Sequence, residues 1–306
     1  MELRVLRYFL AVAREENITK AAKQLHITQP TLSRQLMQLE DELGVVLFHR
    51  SKHHIVLTDD GMLLRRRAEE IVSLSDKAER ELQKKEAPIS GEIAIGCGET
   101  LANMKCLVEG IAAFHARYPD VTFDIYTGIA DDVQEHMEHG LVDFGMFIEP
   151  VDISVYNFLR MPCKEQWTVL MRRDHELAQK ACISRDDLAG QTLIMAKRKS
   201  VRNVVENWLG DRYTSVHVGV TMNLSASNKT IFVEKKMGLA VGLEFELTSQ
   251  DVCQRPLWPP ILTECVLTWK KTTYLPPLMH QFIQFMKAFF AGYEPLRPGA
   301  DGVDLL

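Results

Sequence analysis

Apolar positions near the start of the chain recur every three or four residues, as they do on one face of a helix. A first helix is predicted by four such positions: Leu3, Leu6, Leu10 and Ala13. Residues 17–36 predict two short helices that meet at a tight corner. Ala21 and Ala22 leave room for a second helix to cross closely. The predicted buried seam of the pair is Leu25, Ile27, Leu32 and Leu36.

The second helix of this pair has the features of a helix start. Thr28 is predicted as the N-cap, because its hydroxyl can accept a backbone N–H bond, and Pro30 falls in the first turn. In helix-turn-helix proteins this end of the second helix enters the major groove, where polar side chains reach bases and phosphates. The predicted DNA-binding positions here are Thr28, Gln29, Pro30, Thr31, Ser33 and Arg34.

A short two-stranded wing is predicted after Gly44, with Arg50 and Lys52 at its tip. A basic tip suits the phosphate backbone or a narrow minor groove, so both residues are further DNA-binding candidates. The competing interpretation is an ordinary helical hairpin with a polar outer face. The bracing helix before the motif and the wing after it argue against that interpretation.

A long helix without proline is predicted from Thr58 to about Glu86. Its small and apolar positions follow heptad spacing: Leu64, Ala68, Ile71, Ser75, Ala78 and Leu82. One interpretation is an amphipathic helix lying on its own domain. We favour a seam between two subunits, because one helix-turn-helix buries too little surface for specific DNA binding. A symmetric homodimer would present two such motifs to two half-sites.

Residues 87–91 break the long helix, and beyond them short apolar strands alternate with helical segments, which is typical of an α/β fold with parallel sheets. Ligands bind beyond the carboxyl ends of such strands, where helix N-termini favour anions. Thr100, just after the first strand, is either a plain N-cap or a pocket residue, and this pattern taken alone favours the N-cap. The predicted effector-binding positions on this side are Gly98, Glu99, Thr100, Thr127, Phe147 and Ile148.

A second helix start could clamp a carboxylate or phosphate from the side opposite Thr100. The competing interpretation is a solvated basic turn. The residues concerned are Ser200, Arg202 and Asn203. We expect the α/β domain to have two halves with a cleft between them, joined by two connections of the chain. Two such connections would form a hinge, so a ligand in the cleft could bias its closure.

Charge and composition fit a DNA-binding protein that stays in the cytoplasm. The 306-residue chain has a net charge of −5, but its first 86 residues carry 15 basic and 14 acidic side chains, so the acidity lies in the C-terminal part. No apolar run is long enough to span a bilayer, and the first residues do not resemble an export signal.

The six cysteines lack metal-ligand spacing, so we expect no metal and no cofactor. Free thiols packed as small hydrophobes are the favoured interpretation, and a redox-active pair stays open. Catalytic motifs such as GxSxG, GxxxxGK[ST] and HExxH are missing, so we expect no enzyme activity. A cytoplasmic solute-binding protein would explain the C-terminal part but would leave the first 60 residues without a role.

The chain closely resembles the LysR-type transcriptional regulators. The resemblance is densest over residues 1–65, in Leu6–Phe9, Ala21–His26, Thr28–Gln35, Leu39–Gly44, Leu47–Arg50 and Leu57–Thr58. It departs from the common pattern at Asn17–Thr19 and at Asp60–Gly61, away from the predicted base-reading positions.

The resemblance implies a mainly α-helical winged helix-turn-helix, a linker helix, and an α/β effector domain of two Rossmann-like subdomains, as in type 2 periplasmic binding proteins. The expected domains are residues 1–58, 59–87 and 88–293, followed by a flexible tail over 294–306. Subdomain I would span about 88–162 and 266–293, and subdomain II about 163–265. The effector of this family usually sits between two such subdomains near the turn at Thr100, so the resemblance favours Thr100 as a pocket residue. The expected partners are double-stranded promoter DNA, a small effector of anionic character, a second copy in a dimer or a dimer of dimers, and RNA polymerase, with no membrane.

Overall fold

The computed structural model describes residues 1–50, 55–83, 89–223, 226–272 and 274–294, with the backbone alone for Arg50, Lys77, residues 80–83 and Ala226. The chain divides into two compact units, one comprising Met1–Ala87 and the other nearly all of the remainder. Each unit has its own buried core. Among the described residues, no helix is long and apolar enough to cross a membrane.

The N-terminal unit begins with three helices: α1 (Leu3–Glu15), α2 (Ile18–Gln24) and α3 (Gln29–Leu43). Asn17 caps α2, because its Oδ1 accepts bonds from the backbone N–H groups of Thr19 and Lys20 at 3.0 Å. Ala21 and Ala22 are buried where the helices cross. The tight corner and close crossing predicted from the sequence are confirmed.

Helix α3 starts and stops where its sequence indicates. The hydroxyl of Thr28 accepts the backbone N–H of Thr31 at 3.4 Å, and Pro30 lies in the first turn. Gly44 ends the helix with a φ of 68°, a left-handed conformation that costs glycine little. The predicted seam residues Leu32 and Leu36 are fully buried, whereas Leu25 and Ile27 are partly buried against the same core.

The wing consists of β1 (Phe48–Arg50) and β2 (Ile55–Leu57), which pair antiparallel. The carboxylate of Glu40 on α3 accepts the backbone N–H groups of Leu47 and Phe48 at 2.8 and 3.2 Å. This contact fixes the wing to the helix that precedes it. Lys52 and the side chain of Arg50 lie outside the described residues.

Helix α4 (Asp59–Gln83) divides its apolar residues between two faces. Ala68 is fully buried in the core that also contains α1, so it cannot contact a partner subunit, and the predicted seam is wrong at this position. Leu64 packs against the same core. Ile71 and Leu74, by contrast, are 40% and 39% exposed. The side chain of Leu82 is outside the described residues.

The C-terminal unit is a mixed α/β structure, as expected. Its helices are α5 (Ala102–Arg117), α6 (Ala130–Glu138), α7 (Lys199–Leu209), α8 (Ala226–Glu234) and α9 (Pro277–Ala291). Its strands are β3 (Gly91–Cys97), β4 (Val121–Thr127), β5 (Phe144–Ile148), β6 (Tyr156–Arg172), β7 (Ile183–Ser184), β8 (Thr192–Ala196), β9 (His217–Met222), β10 (Leu239–Leu243), β11 (Val252–Trp258) and β12 (Leu262–Lys270).

The sheet has two parallel parts joined by antiparallel strands. The strand order is β4-β3-β5-β12-β6-β10-β8-β9, with β11 on β6 and β7 on β11. Strands β3, β4 and β5 are parallel, and so are β8, β9 and β10. We refer to the part with β3, β4 and β5 as subdomain I and to the part with β8, β9 and β10 as subdomain II.

The long strand β6 belongs to both subdomains. Its first half pairs with β12, down to Gln166 opposite Leu262, and its second half pairs with β10 and β11 from Trp167 onward. The indole N–H of Trp167 donates to the hydroxyl of Thr263 at 2.6 Å where the chain returns. The subdomains are therefore connected by β6 itself and by the segment that joins β11 to β12.

Leu36 provides a test of the N-terminal core. Replacing this fully buried side chain by alanine should lower the free energy of unfolding of the N-terminal unit by about 2–5 kcal/mol, because a cavity remains. Met37 is the neighbouring residue but is 45% exposed, so Met37→Ala should cost less than about 1 kcal/mol. Urea denaturation of the full chain, followed by circular dichroism, measures both. Equal losses would contradict the assigned core.

Candidate functional site

The outer face at the start of α3 is polar and accessible. Thr28, Gln29, Pro30, Thr31 and Arg34 are exposed, and Ser33 is half-buried. The hydroxyls of Thr28 and Thr31 lie 2.8 Å apart and hold each other in place. Arg34 forms no ion pair within the described residues, so its guanidinium is available to an outside acceptor. The fold thus leaves the predicted positions at the start of α3 fully or partly accessible.

In the C-terminal unit, the parallel strands of both subdomains end toward the same interface. Arg198, just before α7, pairs with Asp131 on α6 at 3.0 Å, and Lys105 on α5 pairs with Glu246, beyond β10, at 2.8 Å. These pairs bridge the subdomains, but they are exposed and contribute little to stability. They show that the turn after β3 and the start of α5 face α7 and the segment after β10.

Three buried polar atoms at this interface have no hydrogen-bond partner within the described structure. They are Thr100 Oγ1, Asn103 Oδ1 and Ser200 Oγ. Unsatisfied buried polar atoms are uncommon because each carries a desolvation cost, so their presence calls for an explanation. Thr100 and Ser200 were predicted from the sequence, and they come from subdomains I and II respectively. We call Thr100, Asn103, Glu165, Ser200 and Lys229 the inter-subdomain site.

Asn103 and Glu165 escape prediction from the sequence. The backbone N–H and the side-chain amide of Asn103 both donate to Oε1 of Glu165 at 2.8 Å, and the two residues are 0% and 1% exposed. This contact ties the first turn of α5 to β6. An asparagine in the first helical turn and a glutamate within an apolar strand are the only sequence signals.

Burial raises the pKa of the nearby Glu244, Glu165 raises it further, and Lys105 lowers it.

Lys229, in the first turn of α8, is the other residue that the sequence did not indicate. It is 5% exposed, and its ammonium donates to the carbonyl of Leu243 at 3.3 Å and lies 4.1 Å from the ring centre of Phe245. Burial lowers the pKa of Lys229 to about 8, and the negative charge of Glu99 opposes that shift. The position of Lys229 near the start of a helix does not indicate that the side chain is buried.

One predicted effector-binding position needs correction, and a second contacts a neighbouring carboxylate. Phe147 is 1% exposed and packs with Tyr156, at a ring-centre distance of 6.3 Å, in the core beneath α6, so it cannot contact a ligand. Arg202 pairs with Glu206 one turn along α7 at 3.1 Å, and Glu206 also accepts from the hydroxyl of Tyr213. This pairing uses the Nε donor of Arg202, so the expected anion clamp at this residue stays a prediction.

The remaining predicted positions occupy strand ends and helix starts. Gly98 and Ile148 are half-buried after β3 and at the end of β5, and Asn203 is half-buried on α7. Glu99 and Thr127 are exposed. Ile148 packs against the core of subdomain I, which leaves only part of its side chain accessible.

The cysteine thiols in the described residues are free. Cys106 and Cys163 are neighbours in the core of subdomain I. Burial raises the pKa of the Cys106 thiol to about 12, with a further contribution from Cys163, and burial also raises the pKa of Cys163. Such thiols are poor nucleophiles at neutral pH. Within the described part of the chain, no group of three or more His, Cys, Asp or Glu side chains could hold a metal ion.

Comparison with known proteins covers both units. A sequence model described as LysR substrate binding domain matches residues 86–291, and one described as Bacterial regulatory helix-turn-helix protein, lysR family, matches residues 3–62. The HTH-type transcriptional regulator BsdA of Bacillus subtilis (strain 168) is 41% identical over 167 residues, which span 53% of this chain and 57% of BsdA.

A more distant relative and a solved structure span nearly the whole chain. The Hca operon transcriptional activator HcaR of Escherichia coli (strain K12) is 27% identical over 292 residues, 94% of this chain and 97% of HcaR. The crystal structure of full-length CbnR complexed with its target DNA aligns with a TM-score of 0.71 at 19% identity, covering 94% of this chain and 100% of CbnR. The helix-turn-helix, the two-part α/β sheet and the two family matches agree, and the chain belongs to the LysR family of transcriptional regulators.

Proposed function

We propose that this LysR-family regulator binds promoter DNA as a homodimer and changes its DNA-bound arrangement when a small effector occupies the inter-subdomain site. The single observation that carries the effector proposal is the pair of buried, unpartnered hydroxyls of Thr100 and Ser200, one from each subdomain. A ligand that accepts a bond from both would favour one relative arrangement of the subdomains.

DNA recognition by α3 is supported by its exposed polar start and by the guanidinium of Arg34, which forms no ion pair within the described residues. Arg is the side chain best suited to guanine, and Gln29 suits adenine. Arg50 and Lys52 of the wing remain candidates for phosphate or minor-groove contact. The proposed partners therefore include double-stranded promoter DNA, and the proposed location is the cytoplasm, where that DNA is found.

The exposed apolar face of α4 supports dimerisation. Ile71, Leu74 and Ala78 present apolar surface, and Ser75 lies among them half-buried. A partner helix would cover this face and bring a second α3 to an adjacent half-site. A dimer of dimers and contact with RNA polymerase extend the same proposal to a promoter complex.

Two alternatives are weaker. A redox switch would need a reactive thiolate, and burial raises the pKa of both Cys106 and Cys163. A solute-binding protein would give no role to the polar face of α3. Neither alternative accounts for the unpartnered hydroxyls at the inter-subdomain site together with the helix-turn-helix.

Arg34→Ala tests base recognition. It should weaken binding to the cognate promoter by about 1–3 kcal/mol, or roughly 5- to 150-fold, and relax sequence preference, because a guanine contact is lost. Arg4→Ala removes the same charge from an exposed site on α1 and controls for net charge. Fluorescence anisotropy with cognate and scrambled duplexes measures both variants. An equal loss on all duplexes would instead make Arg34 a phosphate contact.

Thr100→Val tests the inter-subdomain site. Valine keeps the volume of threonine but cannot donate a hydrogen bond, so the variant should lose its response to the effector and keep its promoter affinity. Thr100→Ser retains the hydroxyl and should retain the response. A thermal-shift screen of cytoplasmic metabolites identifies responding compounds, and promoter binding is then measured with and without them. A full response in Thr100→Val would remove this residue from the site.

A further inference from the structure

Two charged side chains are buried in the described part of the chain, Glu165 and Lys229, and both belong to the inter-subdomain site. Glu165 is satisfied by the two N–H donors of Asn103. Lys229 is not satisfied in the same way. Its ammonium has three N–H donors, and the described residues offer it one carbonyl at 3.3 Å and the face of Phe245.

A purely structural role does not account for this lysine. A buried ammonium is costly unless an opposite charge compensates it, and Lys229 forms no ion pair with any described residue. Glu99 acts on it electrostatically, but Glu99 is exposed and lies on the opposite subdomain. A neutral side chain of the same length would fill the space at lower cost. The charge is therefore available to something that enters the site.

The neighbouring groups define what could enter. The hydroxyls of Thr100 and Ser200 can each donate a bond, and both lie at helix starts, where backbone N–H groups favour negative charge. One ammonium and two hydroxyl donors match the two oxygens of a carboxylate, and the negative charges of Glu165 and Glu99 disfavour a ligand that carries a second negative charge. A phosphate dianion would need more positive charge, and the nearby arginines are already paired, Arg198 with Asp131 and Arg202 with Glu206.

We propose that the effector of the inter-subdomain site is a small carboxylic acid whose carboxylate is bound by the ammonium of Lys229 together with the hydroxyls of Thr100 and Ser200. This proposal rests on the proposed function, because it assumes that the effector occupies this site. It adds the chemical class of the effector and assigns its charge recognition to Lys229. Asn103 Oδ1, the third unpartnered atom, then accepts a bond from a hydroxyl or amino group elsewhere on the acid.

The test uses the full chain and a panel of aliphatic and aromatic carboxylic acids, each paired with its neutral primary amide, and inorganic phosphate as a further anion. Thermal shift and promoter binding are measured for the unmodified protein, Lys229→Met and Lys235→Met. Lys229→Met keeps the length of the side chain and removes its charge. Lys235 is an exposed lysine just beyond α8, so Lys235→Met is the matched control.

We expect at least one acid to stabilise the unmodified protein and Lys235→Met, while its amide does not. Lys229→Met should bind that acid at least roughly 30-fold more weakly, the loss typical of removing one partner of a buried charge pair. A response to the amide equal to that to the acid, a response to phosphate alone, or no response to any acid would overturn the proposal.

The variants also separate this proposal from the proposed function. If Thr100→Val abolishes the response to a compound and Lys229→Met does not, the site stands and the carboxylate assignment fails. If neither variant changes the response, the effector binds elsewhere and both fail.

A measurement without ligand tests the state of Lys229 itself. Its pKa is about 8 in the folded protein and near 10.5 when unfolded, so between these values the unfolded chain holds more protons. The free energy of unfolding should therefore rise as pH increases from about 8 to 10.5, and Lys229→Met should remove this rise. An identical pH dependence in both proteins would mean that Lys229 is solvated, which would overturn the proposal.

Discussion

The antiparallel pairing of β6 with β12 is the constraint on which the C-terminal unit depends. Strand β6 runs through both subdomains, and the chain returns beside it from β11 to β12, so the two halves are connected by two adjacent segments. Short-range pairing at this crossing holds the carboxyl ends of the two parallel sheets toward each other while each subdomain keeps its own core. Changes at the interface can then alter the angle between the halves without unfolding either one.

The electrostatics of the inter-subdomain site follow from that arrangement. Glu165 lies on the crossing strand and holds the first turn of α5 through Asn103, while Lys229 reaches the site from α8. Glu165 accepts two N–H bonds from Asn103, whereas the described residues offer the ammonium of Lys229 one carbonyl and the face of Phe245. Strands and helix starts that are far apart in sequence therefore create a polar site with unsatisfied donors inside a largely apolar unit. A matching ligand gains more binding free energy at such a site than at a solvated site, because the cost of desolvating the polar groups of the site has already been met on folding.

In the N-terminal unit, close packing decides which side chains are free to bind. Ala21 and Ala22 let the helices approach, Leu32 and Leu36 fill the seam, and the polar start of α3 is left on the surface. Glu40 extends the same packing to the wing by accepting two of its backbone N–H groups. Helix α4 then closes this core with Ala68 and leaves Ile71 and Leu74 outside.

Local patterns in the sequence were sufficient to predict many of the helix ends and strands. The cap at Thr28, the stop at Gly44, and strands such as Phe144–Ile148 and Leu239–Leu243 depend on residues close together in the chain, so their spacing predicts them. Thr100 and Ser200 could also be proposed as effector-binding residues, because each follows a strand and lies at the start of a helix. Heptad spacing was less informative, since it could not tell whether Ala68 faces a partner or its own domain.

The tertiary structure alone decided which side chains meet. Phe147 and Arg202 had suitable positions in the sequence, but packing under α6 buried the first and Glu206 paired the second. The Asn103–Glu165 contact joins residues 62 positions apart, and the ammonium of Lys229 is buried against the carbonyl of Leu243, 14 positions away. Neither arrangement can be recognised from the residues next to it in the sequence. The sequence by itself determined the elements, the family and the polar start of α3. The charges of the inter-subdomain site became visible only when the two subdomains were folded together, since burial and pairing are properties of the assembled contacts and not of any one segment.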